Sequence, residues 1–197
     1  MTHKTMNQSS QKYQAGFSLA ELIIGVGILG ILMAVSASQL ASFIPSMQLR
    51  AAVRELYSNM QSTRLNAVKT NTNWAMVFDP ANNRYLVCSD KGPDDSWSST
   101  ADNTCPIAVD LTASYKNGVQ YGHGNLIGNN SASSPPGAFP ADNVSFNNNV
   151  LSFSPLGISN SGYVYLQNQK QTPLYAIGTL SSGAINIVKW AGGSWKR

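Results

Sequence analysis

An uninterrupted apolar run stands near the start of the chain. From Leu22 to Ala37, sixteen residues carry no charge, and most of them are Leu, Ile, Val, Gly or Ala. As a helix rising about 1.5 Å per residue, the wider segment 17–44 is long enough to cross a hydrocarbon core of about 30 Å. The pattern predicts a membrane-spanning helix over 17–44.

The residues that follow, 45–71, change to a one-sided pattern. Apolar positions recur at intervals of three and four with arginines between them, which indicates an amphipathic helix. We expect this half of the helix to pack its apolar stripe on a globular domain. The stripe consists of Leu49, Ala52, Val53, Leu56, Tyr57, Met60, Leu65 and Val68.

Beyond residue 71 the pattern becomes that of short strands separated by turns, so 72–197 are predicted to form a β-rich domain. Residues 117–149 are rich in Gly, Asn, Ser and Pro and predict a long loop or a weakly structured insert. In the last strand neither face is cleanly polar, so the buried face is left open. The predicted strands are Trp74–Phe78, Arg84–Cys88, Val150–Phe153, Tyr163–Leu166, Leu174–Ile177 and Ala184–Trp190.

Charge and composition narrow the function classes. Charged residues make up 11% of the chain, and 13 Lys and Arg stand against 9 Asp and Glu, a surplus too small and scattered for a general nucleic-acid footprint. The histidines are His3 and His123, and the cysteines are Cys88 and Cys105. These residues do not compose a zinc site or a Ser-His-Asp triad, so we expect no metal, no cofactor and no enzymatic activity.

Glu21 is the one carboxylate inside the apolar segment 17–44. A carboxylate costs roughly 2.5–3.5 kcal/mol at the centre of a membrane helix and less near the interface, so it implies a partner. No Lys or Arg lies between Lys12 and Arg50. Cleavage after Gly16 would create a new amine on Phe17, which could serve as that partner.

The hexapeptide from Gly16 to Glu21, with a basic leader before it and an apolar helix after it, resembles the type III signal peptide of type IV pilins and type II secretion pseudopilins. The resemblance implies that a prepilin peptidase and methyltransferase removes 1–16, with Gly16 as the last leader residue. Phe17 would then become the N-methylated first residue. Glu21 would pair with the Phe17 amine of a neighbouring pilin or pseudopilin subunit.

Two other interpretations of this N-terminus remain open. Val35-Ser36-Ala37 is similar to the cleavage site of an ordinary secretory signal, and a cut after Ala37 would release a soluble protein. A plain membrane anchor with no role in assembly is the other. The basic leader predicts a cytoplasmic N-terminus and a chain that crosses the membrane once. The resemblance implies that this membrane is the bacterial inner membrane, with its lipid around the helix, and that the domain is periplasmic.

Residues further along are similar to the FimT/GspH family of minor pilins and minor pseudopilins. The resemblance implies an α+β, pilin-like fold in which a long N-terminal helix packs on an antiparallel sheet. It also implies a minor structural subunit that acts in filament assembly, in priming or in protein secretion. The similar residues are Glu55-Leu56, Arg64, Ala67, Asn71, Phe153-x-Pro155-x-Gly157 and Gly162-Tyr-Val-Tyr-Leu.

Some members of this family bind DNA for uptake through a Gly-Arg-x-Arg segment. The corresponding residues here, 183–186, contain neither arginine. A DNA- or surface-binding minor pilin is therefore the alternative function. Its candidate DNA contacts are the basic and aromatic residues near the C-terminus, and the competing interpretation is two tryptophans that complete a sheet. These residues are Lys189, Trp190, Trp195, Lys196 and Arg197.

A polar segment, 89–104, which is called the excursion below, separates the two cysteines. In an exported domain Cys88 and Cys105 are most simply a disulfide, with two free buried thiols as the alternative. The excursion contains four Asp but lacks the residue order of an EF-hand, so we interpret it as a solvated loop rather than a calcium site. His123, between two glycines, is expected to be an exposed loop residue rather than a ligand.

Overall fold

The computed structural model describes residues 17–116, 118–126, 139–171, 173–191 and 193–196, and of 37–42 and 191 only the backbone. The chain divides into two compact units, Met1–Ala41 and Ser42–Arg197. The predicted leader 1–16 and Arg197 lie outside the described residues.

Helix α1, Leu19–Thr70, begins two residues after Phe17 and contains Pro45. It ends in a left-handed residue, Asn71 at φ 54°, and the Thr72 N–H donates to the Ala67 carbonyl at 3.3 Å. This is the Schellman arrangement, which satisfies a carbonyl that would otherwise lack a partner at the helix end.

The buried stripe of α1 departs from the predicted one in its last two turns. Leu65 and Val68 are 66% and 50% exposed, and Thr63 and Ala67 are buried in their place. The Thr63 hydroxyl donates to the Asn59 carbonyl at 2.6 Å, so its burial leaves no unpaired polar group. The prediction was therefore right from Leu49 to Met60 and wrong for Leu65 and Val68.

The α-helices and strands after α1 are β1 Trp74–Asp79, β2 Arg84–Cys88, β3 Ile107–Asp110, α2 Leu111–Ser114, β4 Gln120–Tyr121, β5 Val150–Phe153, β6 Gly162–Gln167, β7 Leu174–Thr179, β8 Ile185–Ala191 and β9 Ser194–Lys196. The strands form two antiparallel sheets, of order β3-β2-β1-β5 and β4-β6-β7-β8-β9. The predicted strands are confirmed to within two residues at either end, while β3, the short helix α2, β4 and β9 were not predicted.

The main core lies between α1 and one face of each sheet. Leu49, Leu56 and Met60 of α1 share one buried cluster with Phe153 of β5 and Ile177 of β7. The helix is therefore packed on antiparallel sheets, the α+β arrangement that the sequence implied. At about 25 cal/mol per Å² of apolar area, this burial is the main stabilising contribution to the domain.

Each sheet also carries a smaller cluster on its other face. Ala75, Val77 and Cys88 pack with Trp97 outside the first sheet. Tyr165, Val188 and Trp195, among others, pack with Leu126 and Phe139 outside the second sheet. Both faces of β8 are consequently covered, which explains why its sequence shows no polar face.

The segment 117–149, predicted as a loop or insert, is more ordered in its described parts than expected. It contains β4, and Val119, Val144 and Phe146 belong to the main core. Residues 117 and 127–138 of this segment lie outside the described residues.

Candidate functional site

The N-terminal part of α1 presents an apolar surface with no protein cover. Every described side chain from Phe17 to Ser36 is exposed, including Phe17 at 82%. The segment Leu19–Ser36 has a mean hydropathy of 2.3 and is long and apolar enough to cross a membrane, by length and composition. A helix that is apolar on all sides requires lipid or other helices as its surroundings.

Glu21 lies in the first turn of this helix, one turn after Phe17. The unpaired N–H groups of a helix start carry a partial positive charge, which favours an anion at this position. Around Glu21 the exposed neighbours are apolar, with Leu19 at 77% and Leu22 at 62%. The geometry therefore places one carboxylate at the start of the segment Leu19–Ser36, whose other residues are uncharged and whose described side chains are exposed.

Three glycines in the N-terminal part of α1 leave the helix backbone without side-chain cover at their positions. A Cβ added at Gly25, Gly27 or Gly30 would meet nothing within 4 Å, so these positions are not used for packing within the described chain. In membranes, small residues allow the backbones of two helices to approach closely. The helix is thus suited to contact with a second helix.

Cys88 and Cys105 are joined by a disulfide, which confirms the predicted pairing; the alternative of free thiols was wrong. Two backbone hydrogen bonds beside the disulfide also join the two ends of the loop, from Ser89 N–H to Thr104 O at 2.8 Å and from Thr104 N–H to Asp90 O at 3.0 Å. The loop also packs Trp97 against the cluster that contains both cysteines. The polar loop is therefore attached at its base and by one aromatic side chain.

The Asp side chains of this loop serve its own backbone. Asp90 accepts from the Gly92 N–H at 2.8 Å and Asp94 accepts from the Ser96 N–H at 2.9 Å. Asp95 forms an ion pair with Lys91. Among the residues that the structure describes, no group of three or more His, Cys, Asp or Glu is placed to hold a metal ion.

His123 is not the exposed loop histidine that was expected. It is half-buried, its ring stacks on Phe139 with centroids 4.5 Å apart, and its Nδ1 lies 2.6 Å from Asn143 Oδ1. The two flanking glycines suggested flexibility, but the ring is held by residues about 20 positions further along the chain. Its surroundings are those of a structural residue.

A cleft of about 560 Å³ is lined by Pro80, Asn83 and Asp142 among others. Its polar groups support the surrounding fold. Asp142 accepts from the Val144 N–H at 3.2 Å and from Asn149 Nδ2 at 2.8 Å. Asn83 Nδ2 donates to Thr112 Oγ1 at 2.9 Å. None of these contacts resembles a nucleophile held by a base.

The candidate DNA contacts separate onto two faces of the sheet. Trp190 and Trp195 are cross-strand partners, as are Lys189 and Lys196, and alternation places each pair on its own face. Trp195 is 7% exposed and its ring lies 5.3 Å from Trp190 and 6.0 Å from Tyr165. Trp195 therefore completes a core, as the competing interpretation held, and cannot stack on a base; binding of DNA by the remaining residues stays a prediction.

Sequence reasoning missed a cluster around Arg64. The Arg64 Nε–H donates to the Gly157 carbonyl at 2.9 Å, and a Cβ at Gly183 would lie 1.9 Å from the same oxygen and 3.2 Å from Arg64 Nε. Arg64 and Gly157 had been noted as family-like residues, but their spacing of 93 positions gave no sign of contact. The arginine thus bonds α1 to the β5–β6 loop and lies close to Gly183 of the β7–β8 loop.

Comparison with known families gives a consistent assignment. The family described as Type II transport protein GspH matches residues 52–183, which is more than half of the chain. The Prokaryotic N-terminal methylation motif matches residues 11–37, a range that includes Gly16, Phe17 and Glu21. Searches of curated proteins and of solved structures gave no significant match.

Proposed function

Because the chain belongs to the type II transport protein GspH family, we propose that it is a minor, non-enzymatic subunit of a type IV pilus or type II secretion pseudopilus. In this role it acts in assembly or priming of the filament, or in secretion. The methylation motif over 11–37 supports processing of its N-terminus. A prepilin peptidase would remove 1–16 after Gly16 and methylate Phe17.

The proposed organisation follows from that processing. Residues 17–44 cross the inner membrane, 45–71 form the amphipathic half of the helix, and 72–197 form the periplasmic domain. The leader carries Lys4 and Lys12 and no acid, which supports a cytoplasmic N-terminus.

The observation that carries the proposal is the position of Glu21. A carboxylate among uncovered apolar side chains is unfavourable in lipid unless it is paired. The amine of a processed Phe17 on a neighbouring subunit would neutralise the Glu21 carboxylate. This pairing would favour assembled subunits over isolated ones. The remaining apolar surface of the helix would be covered by lipid before assembly and by other subunits after it.

The first test is the intact mass and N-terminal sequence of the full-length protein extracted from its membrane. We expect a chain that starts at Phe17 and carries one additional methyl group. A chain that starts at Ser38, or one that is uncut, would remove the Phe17 amine and contradict the proposal.

The second test is Glu21→Gln, which removes the charge and keeps the size. We expect normal processing but loss of the protein from purified filaments, measured by quantitative immunoblotting. Glu55→Gln is the matched control, because Glu55 is the other carboxylate of α1. Equal incorporation of both variants would show that Glu21 has no part in assembly.

A further inference from the structure

Five large apolar side chains from three segments of the 42–197 unit are exposed close to one another. Val68 of α1 lies beside the loop residue Gly157, since its Cγ2 is 3.3 Å from a Cβ placed there. The Ser159 hydroxyl of the same loop donates to the Leu180 carbonyl at 3.0 Å. We call this surface the apolar patch: Leu65 (66% exposed), Val68 (50%), Leu156 (83%), Ile158 (48%) and Leu180 (43%).

The most exposed member, Leu156, is presented by a well-supported turn. The Gly157 N–H donates to the Ser154 carbonyl at 2.8 Å, and the Ser154 N–H donates to the Ile158 carbonyl at 2.9 Å. Pro155 restricts the backbone immediately before Leu156, and Arg64 holds the Gly157 carbonyl from the helix side. Because the backbone of this turn is already held, little backbone entropy is lost when Leu156 binds a partner.

The charges around the apolar patch have one sign. The segments 61–70, 154–160 and 180–184 contain Arg64 and Lys69 but no Asp or Glu. Neither cation forms an ion pair with the residues that the structure describes. Two copies that met symmetrically through this surface would bring these cations together, so charge complementarity favours a partner that offers an apolar segment with a carboxylate.

We propose that the apolar patch is a docking surface for a different pilin-like subunit, not a second copy of this chain. That subunit contributes an apolar segment that bears a carboxylate. The proposal rests on the proposed function, because that function places pilin-like subunits next to this chain. Leu156 is the central anchor, Arg64 positions its turn, and Lys69 supplies a charge at the rim. Exposed apolar side chains that are grouped rather than scattered commonly mark a protein interface.

The test uses the full-length protein in the cells that assemble it. A photo-reactive phenylalanine analogue is placed at position 156, where the high exposure makes the change compatible with folding, and adducts are identified by mass spectrometry. A second probe at position 180 repeats the test in case the first disturbs the turn. A probe at Ile107, which is exposed on β3, is the control away from the apolar patch.

We expect the probes at 156 and 180, but not the probe at 107, to form an adduct with another pilin-like subunit. Lys69→Glu should lower its yield about fivefold, because reversing a rim charge replaces attraction with repulsion. Lys196→Glu, the same change on β9, should leave the yield unchanged.

Several outcomes would overturn the proposal: no adduct, an adduct only with lipid, an adduct only with a second copy of this chain, or a yield that does not respond to Lys69→Glu. The N-terminus of the protein, measured in the same membranes, distinguishes failure of the docking surface from failure of the proposed function. A chain processed at Phe17 without the adduct refutes the docking surface alone, whereas an unprocessed chain refutes the proposed function.

Discussion

Removing the Cys88–Cys105 disulfide should cost about 3 kcal/mol of folding free energy. The two residues are 17 positions apart, and in the chain-entropy model a closed loop of that length restricts the unfolded state by about this amount at 25 °C. The loop has few compensating contacts, because its described packing on the domain centres on Trp97. The two backbone hydrogen bonds at its base contribute roughly 0.5–1.5 kcal/mol each.

The perturbation is the double variant Cys88→Ala, Cys105→Ala in the full-length chain, with the reduced wild type as its matched control. Both should retain the fold, because a domain typically has about 5–15 kcal/mol of stability. Their melting temperatures should fall by roughly 6–12 °C, at about 2–4 °C per kcal/mol for a domain of this size.

The assays are thermal unfolding, which gives the melting temperature, and urea denaturation, which gives the free energy of unfolding. Both use the detergent-solubilised protein and are monitored by tryptophan fluorescence. If the reduced wild type and the double variant lose the same free energy of unfolding, the missing cross-link is the cause of the loss. If only the double variant were destabilised, packing of the buried Cys88 side chain would be the cause. If both stayed within about 1 kcal/mol of the oxidised protein, the reasoning from loop entropy would be refuted.

Two further predictions concern the domain. Gly183→Ala should destabilise it by clearly more than Gly193→Ala: both glycines have positive φ, at 78° and 85°, but only at Gly183 would the new Cβ meet backbone, 1.9 Å from the Gly157 oxygen. The control, Gly193→Ala, should lose about 1–2 kcal/mol from the left-handed conformation alone. Equal urea midpoints for the two variants would contradict the close approach of residue 183 to the Gly157 carbonyl. Burial raises the pKa of Tyr85 and Tyr165 above the ordinary value of 10, so stability present below pH 10 should be lost as the pH rises above it. Denaturation at pH 8 and pH 11 measures this loss, which Tyr165→Phe should reduce; an unchanged loss would exclude Tyr165 as a contributor.

In α1 the sequence pattern and the observed burial agree over one part of the helix and differ over another. The intervals of three and four correctly predicted burial from Leu49 to Met60, because helical periodicity alone decides which residues share a face. Beyond Met60 the periodicity favoured Leu65 and Val68, but the structure buries Thr63 and Ala67 instead, and Arg64 between them contacts the Gly157 carbonyl. Which face is covered there depends on a loop about 90 residues away, and local periodicity carries no information about it.

The C-terminal residues show the same limit. The strand over 185–191 was predictable from its composition and the turns around it. That Trp195 is buried and that Lys189 and Lys196 face away from the tryptophans follows from the pairing of β8 with β9, and β9 is three residues long and was not predicted. A short strand has too few residues for its alternation to be recognised.

The sequence by itself determined the features that depend on local chemistry: the apolar helix with Glu21 near its start, the motif around Gly16 and Phe17, six of the nine described strands, and the family resemblance. It also made the disulfide the simplest interpretation of two cysteines in an exported domain. Only the tertiary structure decided which apolar side chains are left uncovered, how Arg64 bonds the helix to one loop and lies close to another, and which aromatic residues remain accessible. The physical reason is that burial is set by segments distant in the chain, and their approach depends on the packing of the whole core.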